Sequence, residues 1–319
     1  MKQIKYTILY ILFPIAGIFS SCNTILEDSY SFPDSEKTMK IAVTRSLGST
    51  VIGGKLILWK AQPGDYTTVN VNDLNAYSIE KLNTGKPYPK DNSTVYISGF
   101  SPMDMQASSS YQTLNMPVGA SPGTVDVCTS NTVSGSASSP FNETMTFKHT
   151  LTKIIFKARR HETMTGIRNV GNITITIPMS YLPTEWNWNN APEEMSYQVN
   201  SSKHATSNLT LTHPDIIFEN NTEEIGTCFL MLPVNNIGKL QSIRLTADIK
   251  LINSVEIDKR IDSTIDIQLM DTNNQPINKA QAGESYEILF NFQQNSFTLI
   301  ASQLDGWEKG GLIYVPVKP

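Results

Sequence analysis

Four histidines, three cysteines and a Trp-Asn-Trp triplet are the residues of this 319-residue sequence whose chemistry could define a function. The histidines are His149, His161, His204 and His213, and their nearest pairs stand 9 and 12 residues apart. That spacing fits neither HExxH nor two ligands on one turn or strand. No nucleophile elbow, phosphate-binding P-loop or GxGxxG turn occurs. His149 alternates with Met145, Phe147 and Leu151, a pattern in which a packed core histidine is the ordinary reading. Two carboxylates need only meet in space to hydrolyse a glycosidic bond, and Glu185, Glu193 and Glu194 near aromatics keep that chemistry open without a motif. Trp186 and Trp188, at i and i+2 of a strand, would face the same side. They could stack on a sugar, or cover the end of a sandwich as core residues. No catalytic residue, metal or cofactor is expected, and the chain reads as a non-enzyme.

Cys22 has a different context. Lys2 and Lys5 are followed by the uncharged run Ile8–Phe19 and then by Ser20-Ser21-Cys22. The apolar run is too short to span a bilayer and reads as a signal segment. The small residues before the cysteine resemble a lipobox, whose thiol is acylated, although Phe19 stands where Leu or Val is usual. Residues 1–22 are therefore expected to be a lipoprotein signal peptide, with Cys22 as the lipidated residue and the outer membrane as the anchor's destination. Cys128 and Cys228 remain; their spacing fits no metal motif, and they either form one disulfide or stay as two buried thiols.

The elements that must position these residues read as strands. Residues 23–37 carry turn formers and acids, as a tether would. Met39, Ile41 and Val43 alternate with Lys40, Ala42 and Thr44, so one face is buried. Lys55–Trp59, Val95–Ser98, Ile173–Ile177, Leu209–Leu211, Cys228–Leu232, Ile243–Leu251, Ile261–Leu269, Ser285–Phe292, Phe297–Ala301 and Leu312–Val317 follow, separated by Pro, Gly and Asn. Thr144–Ala158 also alternates but changes phase near Ile154, which predicts a bulge or a doubly buried strand. The Ser-rich stretch 133–140 reads as a loop between two globular halves. The fold expected is all-β, two sandwiches in tandem at 38–140 and 141–319. With 17% charged residues and a net charge of −4, no basic stripe for nucleic acid exists.

Several stretches together resemble the fimbrillin-like family of type V pilus subunits. Met39–Ser46 (MKIAVTRS) after the tether is similar to the start of those proteins. Phe147-Lys-His149-Thr-Leu151-Thr-Lys-Ile154-Ile-Phe156 resembles the stretch that opens their second domain. Ala282-Gly-Glu-Ser-Tyr286 and Asp305-Gly-Trp307-Glu-Lys-Gly-Gly311 are similar to two later family stretches. The resemblance implies two transthyretin-like Greek-key domains and a stalk, tip or anchor subunit. It also implies maturation by cleavage after the first strand, at Arg45–Ser46, and pairing with other pilus subunits by strand addition. Leu312, Ile313, Tyr314 and Val315 are the expected donor strand, and a surface ligand is an expected partner of a tip subunit. A glycan-binding surface lipoprotein using Trp186 and Trp188 is the alternative.

Overall fold

A computed structural model of the chain describes residues 38–45, 52–60, 67–74, 80–162, 168–189, 196–217, 222–231, 239–251, 256–269, 282–293, 297–302, 308–309 and 313–314. The signal segment, Cys22, the tether, Ser46, Leu312 and Val315 lie outside these residues. The described residues form strands and no helix, so the fold is all-β.

The first sheet runs in the order β3 (Thr67–Leu74), β2 (Ile52–Lys60), β5 (Val95–Ser101), β8 (Cys128–Ser130), β10 (Thr144–His149), β1 (Thr38–Arg45) and β4 (Glu80–Pro87). Strand β9 (Val133–Gly135) pairs with the start of β5, and β8 pairs with its end. The strands curl around one core, in which Met39, Ile41, Leu56, Leu58, Ile97, Met145 and Phe147 are buried together. Gly99 lets Phe147 lie against β5, since a Cβ there would stand 2.6 Å from Phe147 Cζ and 2.9 Å from Leu56 Cδ2.

The stretch expected as a linker is packed instead. Val133, Gly135, Ser136 and Ala137 are buried. Asn92 clamps Ser138 by donating to its Oγ at 2.7 Å and accepting from its N–H at 2.8 Å. Phe141 stacks on Tyr88 with centroids 5.6 Å apart. Strand β10, past that stretch, is an interior strand of the first sheet.

The phase change near Ile154 is a change of sheet. In β10 the buried residues are Met145, Phe147 and His149; in β11 (Thr152–Arg160) they are Thr152, Ile154, Phe156 and Ala158. The chain turns at Thr150–Leu151, leaving the first sheet for another. There β11 lies between β17 (Glu223–Leu230) and β20 (Glu284–Phe292). Strand β21 (Phe297–Ser302) flanks β20, and β22 (Glu308–Lys309) pairs with it. The facing sheet runs β15 (His204–His213), β12 (Arg168–Pro183), β18 (Lys239–Leu251), β19 (Ile257–Leu269) and β23 (Ile313–Tyr314), with β16 (Ile216–Ile217) beside β12. Alternating Ile, Leu and Phe side chains from the two sheets meet in one core drawn from residues 154–292. Each such side chain, fully buried, contributes about 1.5–3 kcal/mol. A bulge at Gly171–Asn172, where Asn172 takes φ 50°, moves the buried positions of β12 from Val170 to Ile173, Ile175 and Ile177.

A short fourth sheet joins the two halves. It runs β14 (Ser196–Val199), β13 (Glu185–Asn189), β7 (Thr113–Asn115) and β6 (Gln106–Ala107). Strands from before and after β10 thus share one ladder, with Trp186 opposite Leu114. This sheet packs on the outer face of the first one: Leu56 and Leu58 point into the curled core, while Ile57 meets Phe100, Leu114, Trp186 and Tyr197.

Candidate functional site

Strand β1 forms because its apolar residues recur every second position and the neighbouring strands complete its ladders. Met39, Ile41 and Val43 are 3%, 0% and 9% exposed. On one side β1 runs parallel to β10, from Ala42 opposite Thr144 to Arg45 opposite Phe147. On the other it is antiparallel to β4, from Thr38 opposite Pro87 to Val43 opposite Glu80. Thr84 donates its hydroxyl to the Met39 carbonyl at 3.1 Å, where the register shifts. The expectation placed β1 along a sandwich edge. It lies one strand in, because β4 returns to cover it. Arg45 closes the strand and its backbone is in the ladder; Ser46 lies outside the described residues.

At the other end of the chain, Ile313 and Tyr314 pair with Leu269 and Gln268 of β19. The expected donor run thus meets its own sheet through a two-residue ladder, with Leu312 and Val315 outside the described residues.

The two tryptophans do not form an open platform. Trp186 is 0% exposed and donates its indole N–H to Thr150 Oγ1 at 2.9 Å. Trp188 is half-buried, edge-on to Trp59 at 5.2 Å and to Tyr197 at 4.9 Å. Trp186 is thus packed away from solvent, and Trp188 alone of the pair keeps an exposed part. Glu185 accepts a hydrogen bond from Asn200 Nδ2 at 2.7 Å and tightens the β13–β14 hairpin; Glu193 and Glu194 lie outside the described residues.

The structure brings together one group that sequence spacing does not reveal. His149 stands directly opposite Cys128 across the β10–β8 ladder, and Asp126 precedes Cys128 by two residues on the same side. His149 Nδ1 lies 3.2 Å from Cys128 Sγ and 2.9 Å from Asp126 Oδ1, and the sulfur is 4.0 Å from that oxygen. Cys128 and His149 are buried and the Asp126 side chain is 13% exposed. A cleft of about 490 Å³ lies beside them, lined in part by Thr129, Lys148, His149 and Tyr197. The signal in the sequence is Asp-x-Cys, but its partner histidine is 21 residues away and only the strand register brings it near. Cys228 sits in the other core, where burial pushes its thiol pKa up, and no disulfide joins it to Cys128. His204 and His213 lie at the surface, each with Nδ1 2.9 Å from a main-chain carbonyl, of Ser201 and Pro214.

These features define an all-β protein of packed sheets whose first described strand is inserted between two others. The chain belongs to the fimbrillin-like family, whose model matches residues 35–307. No curated protein matches it. Among solved structures it is similar to a protein from Bacteroides uniformis described provisionally as a cell adhesion protein. Identity is 10%, over 83% of this chain and 96% of that one, with a TM-score of 0.45. A second protein so described, from Bacteroides ovatus, shows 11% identity over 85% and 98%, with a TM-score of 0.46. A fimbrial assembly protein from Parabacteroides distasonis shows 11% identity over 88% and 100%, with a TM-score of 0.40.

Proposed function

We propose that the protein is a structural or adhesive subunit of a type V fimbria, exported as an outer-membrane lipoprotein through Cys22 and assembled by exchange of β1. It binds other pilus subunits, and its two halves are transthyretin-like Greek-key sandwiches. It performs no catalysis. The observation that carries this reading is the position of β1 between β10 and β4. Cleavage after Arg45 and departure of β1 would open a groove of about 26 Å, the length of an eight-residue strand. The groove would have an unpaired ladder on both walls and apolar sockets left by Met39, Ile41 and Val43. Unpaired edges of this kind recruit a strand from another chain. Among the described strands β1 is the one that pairs with β4, so the incoming strand must bridge both walls.

The C-terminal run 312–315 is the donor in this reading. Among the described residues it meets β19 through Ile313 and Tyr314. An Arg-specific protease applied to the purified full chain should yield a species beginning at Ser46 that multimerises into an SDS-resistant ladder. Deletion of residues 312–319 should block the ladder and leave a folded monomer. Cleaved protein that stays monomeric at high concentration would argue against strand exchange, and unfolding of the deletion variant would assign the tail to its own sheet.

A further inference from the structure

We propose that Asp126, Cys128 and His149 form a binding site for a divalent cation of the zinc class. Three donor types suited to zinc converge on one locus: a thiolate sulfur, an imidazole nitrogen and a carboxylate oxygen. A point equidistant from the three atoms lies about 2.0 Å from each, against about 2.0–2.1 Å for Zn–N and about 2.3 Å for Zn–S. That point lies almost on the line from sulfur to oxygen, so tetrahedral angles at bonding distance require side-chain rotations that draw Sγ and Oδ1 together by about 0.5 Å and open both distances to Nδ1 by about 0.4 Å. A tetrahedral ion would keep one further position, which water could take from the adjoining cleft.

Charge supports the same assignment. Cys128 is fully buried and His149 nearly so, so a cation bound here would need anionic ligands to offset its own desolvation. One dication with these two anionic ligands is neutral overall. The geometry disfavours a nucleophilic cysteine. Cys128 Sγ and Asp126 Oδ1 both face the same ring nitrogen, Nδ1, whereas a relay needs base and orienting group on opposite nitrogens. A sulfur with no exposure also has no path to a substrate.

Binding replaces the thiol proton with the metal, so each ion bound as Cys–S–Zn releases that proton to solvent, and the imidazole coordinates through Nδ1 with its proton on Nε2. The consequence in the fold is a clip across β8 and β10. Strand β10 is also the parallel wall beside β1, so the ion would fix the register of the strand that any exchange at β1 depends on.

The test uses the full chain stripped with a chelator and titrated with zinc against a chromophoric competitor. One equivalent should bind. Cys128→Ala and His149→Ala should each weaken binding about 100-fold or more, Asp126→Asn should weaken it less, and Cys228→Ser should leave it unchanged. Cobalt should give a thiolate-to-metal charge-transfer band that is lost in Cys128→Ala. If the variants fail to fold, X-ray absorption of the zinc-loaded wild type decides: one sulfur at about 2.3 Å among nitrogen and oxygen ligands supports the site. A shell without sulfur, absence of stoichiometric uptake, or unchanged affinity in folded Cys128→Ala and His149→Ala would overturn it. Failure of strand exchange with zinc still bound would leave this site standing, so the two readings are separable.

Discussion

Trp186 donates its indole N–H to Thr150 Oγ1 at 2.9 Å, and Thr150 in turn donates that hydroxyl to the Val127 carbonyl at 2.8 Å. The relay ties the junction sheet to the turn between β10 and β11. Trp186→Ala empties a wholly buried site and should cost about 3–5 kcal/mol. Trp186→Phe keeps much of the volume but removes the donor, so roughly 1–3 kcal/mol is expected from the hydrogen bond and residual cavity. Urea unfolding of both variants checks the order; equal and small losses would show that the junction is not held here.

Ile41 tests the depth of β1. Its side chain is 0% exposed while its neighbour Lys40 is exposed. Ile41→Asp puts a carboxylate among apolar side chains and should lower stability by several kcal/mol, roughly 3 or more. Lys40→Thr should stay within about 0.5 kcal/mol. Similar urea midpoints for the two variants would contradict a β1 packed face-down in the curled core.

Much of this was legible from alternation, because one buried face repeats every second residue. Met39, Ile41 and Val43, and Ile173, Ile175 and Ile177, are buried as that pattern requires. What alternation cannot carry is partnership. A phase change at Ile154 reads alike for a bulge and for a strand that leaves one sheet for another, and the chain does the second. The Ser-rich 133–140 looked like a linker because small polar residues suit solvent; here they suit close packing, with Ser136 and Ala137 buried and Asn92 holding Ser138. Trp186 and Trp188 have the spacing of a platform, but β7 covers the first with Leu114. Cys128 and His149 meet through register, which no local window contains.

Asp248 gives a pH dependence. Arg260 donates to Asp248 Oδ1 at 2.8 Å and Asn172 to Oδ2 at 2.7 Å, on the outer face of the β18–β19 hairpin. The Arg260 hydrogen bond, with help from Asn172, holds the Asp248 carboxyl below its ordinary value in spite of burial, which pushes the other way. The unfolded chain therefore takes up the proton first as pH falls. The contribution is whole above the unfolded value, about pH 4, and is lost as pH drops through the folded value. Asp248→Asn should lower stability at pH 7 and flatten the acid limb of the stability–pH curve. An unchanged acid limb would show that the pair is screened by solvent.

The junction sheet makes its own prediction about the two halves. Among the described residues the core between the two C-terminal sheets draws on residues 154–297, so a fragment 141–319 contains them and should unfold cooperatively. The same fragment lacks β1 and β8, the partners of β10, and lacks Ile57, Phe100 and the β7 residue Leu114, which pack with Trp186. Its core should be native while its junction is bare. Carrying Trp188→Phe and Trp307→Phe leaves Trp186 as the fragment's one tryptophan. Its emission should be shifted to the red of the full chain carrying the same two substitutions together with Trp59→Phe, and it should become accessible to a neutral quencher. A fragment starting at Leu151 should be at least as stable, because it omits β10, whose partners β1 and β8 are absent from 141–319. A non-cooperative 141–319 fragment would mean that the halves form one interleaved unit. Blue emission protected from quencher would mean that Trp186 is buried by the C-terminal half alone, and that Ile57, Phe100 and Leu114 add nothing to its cover.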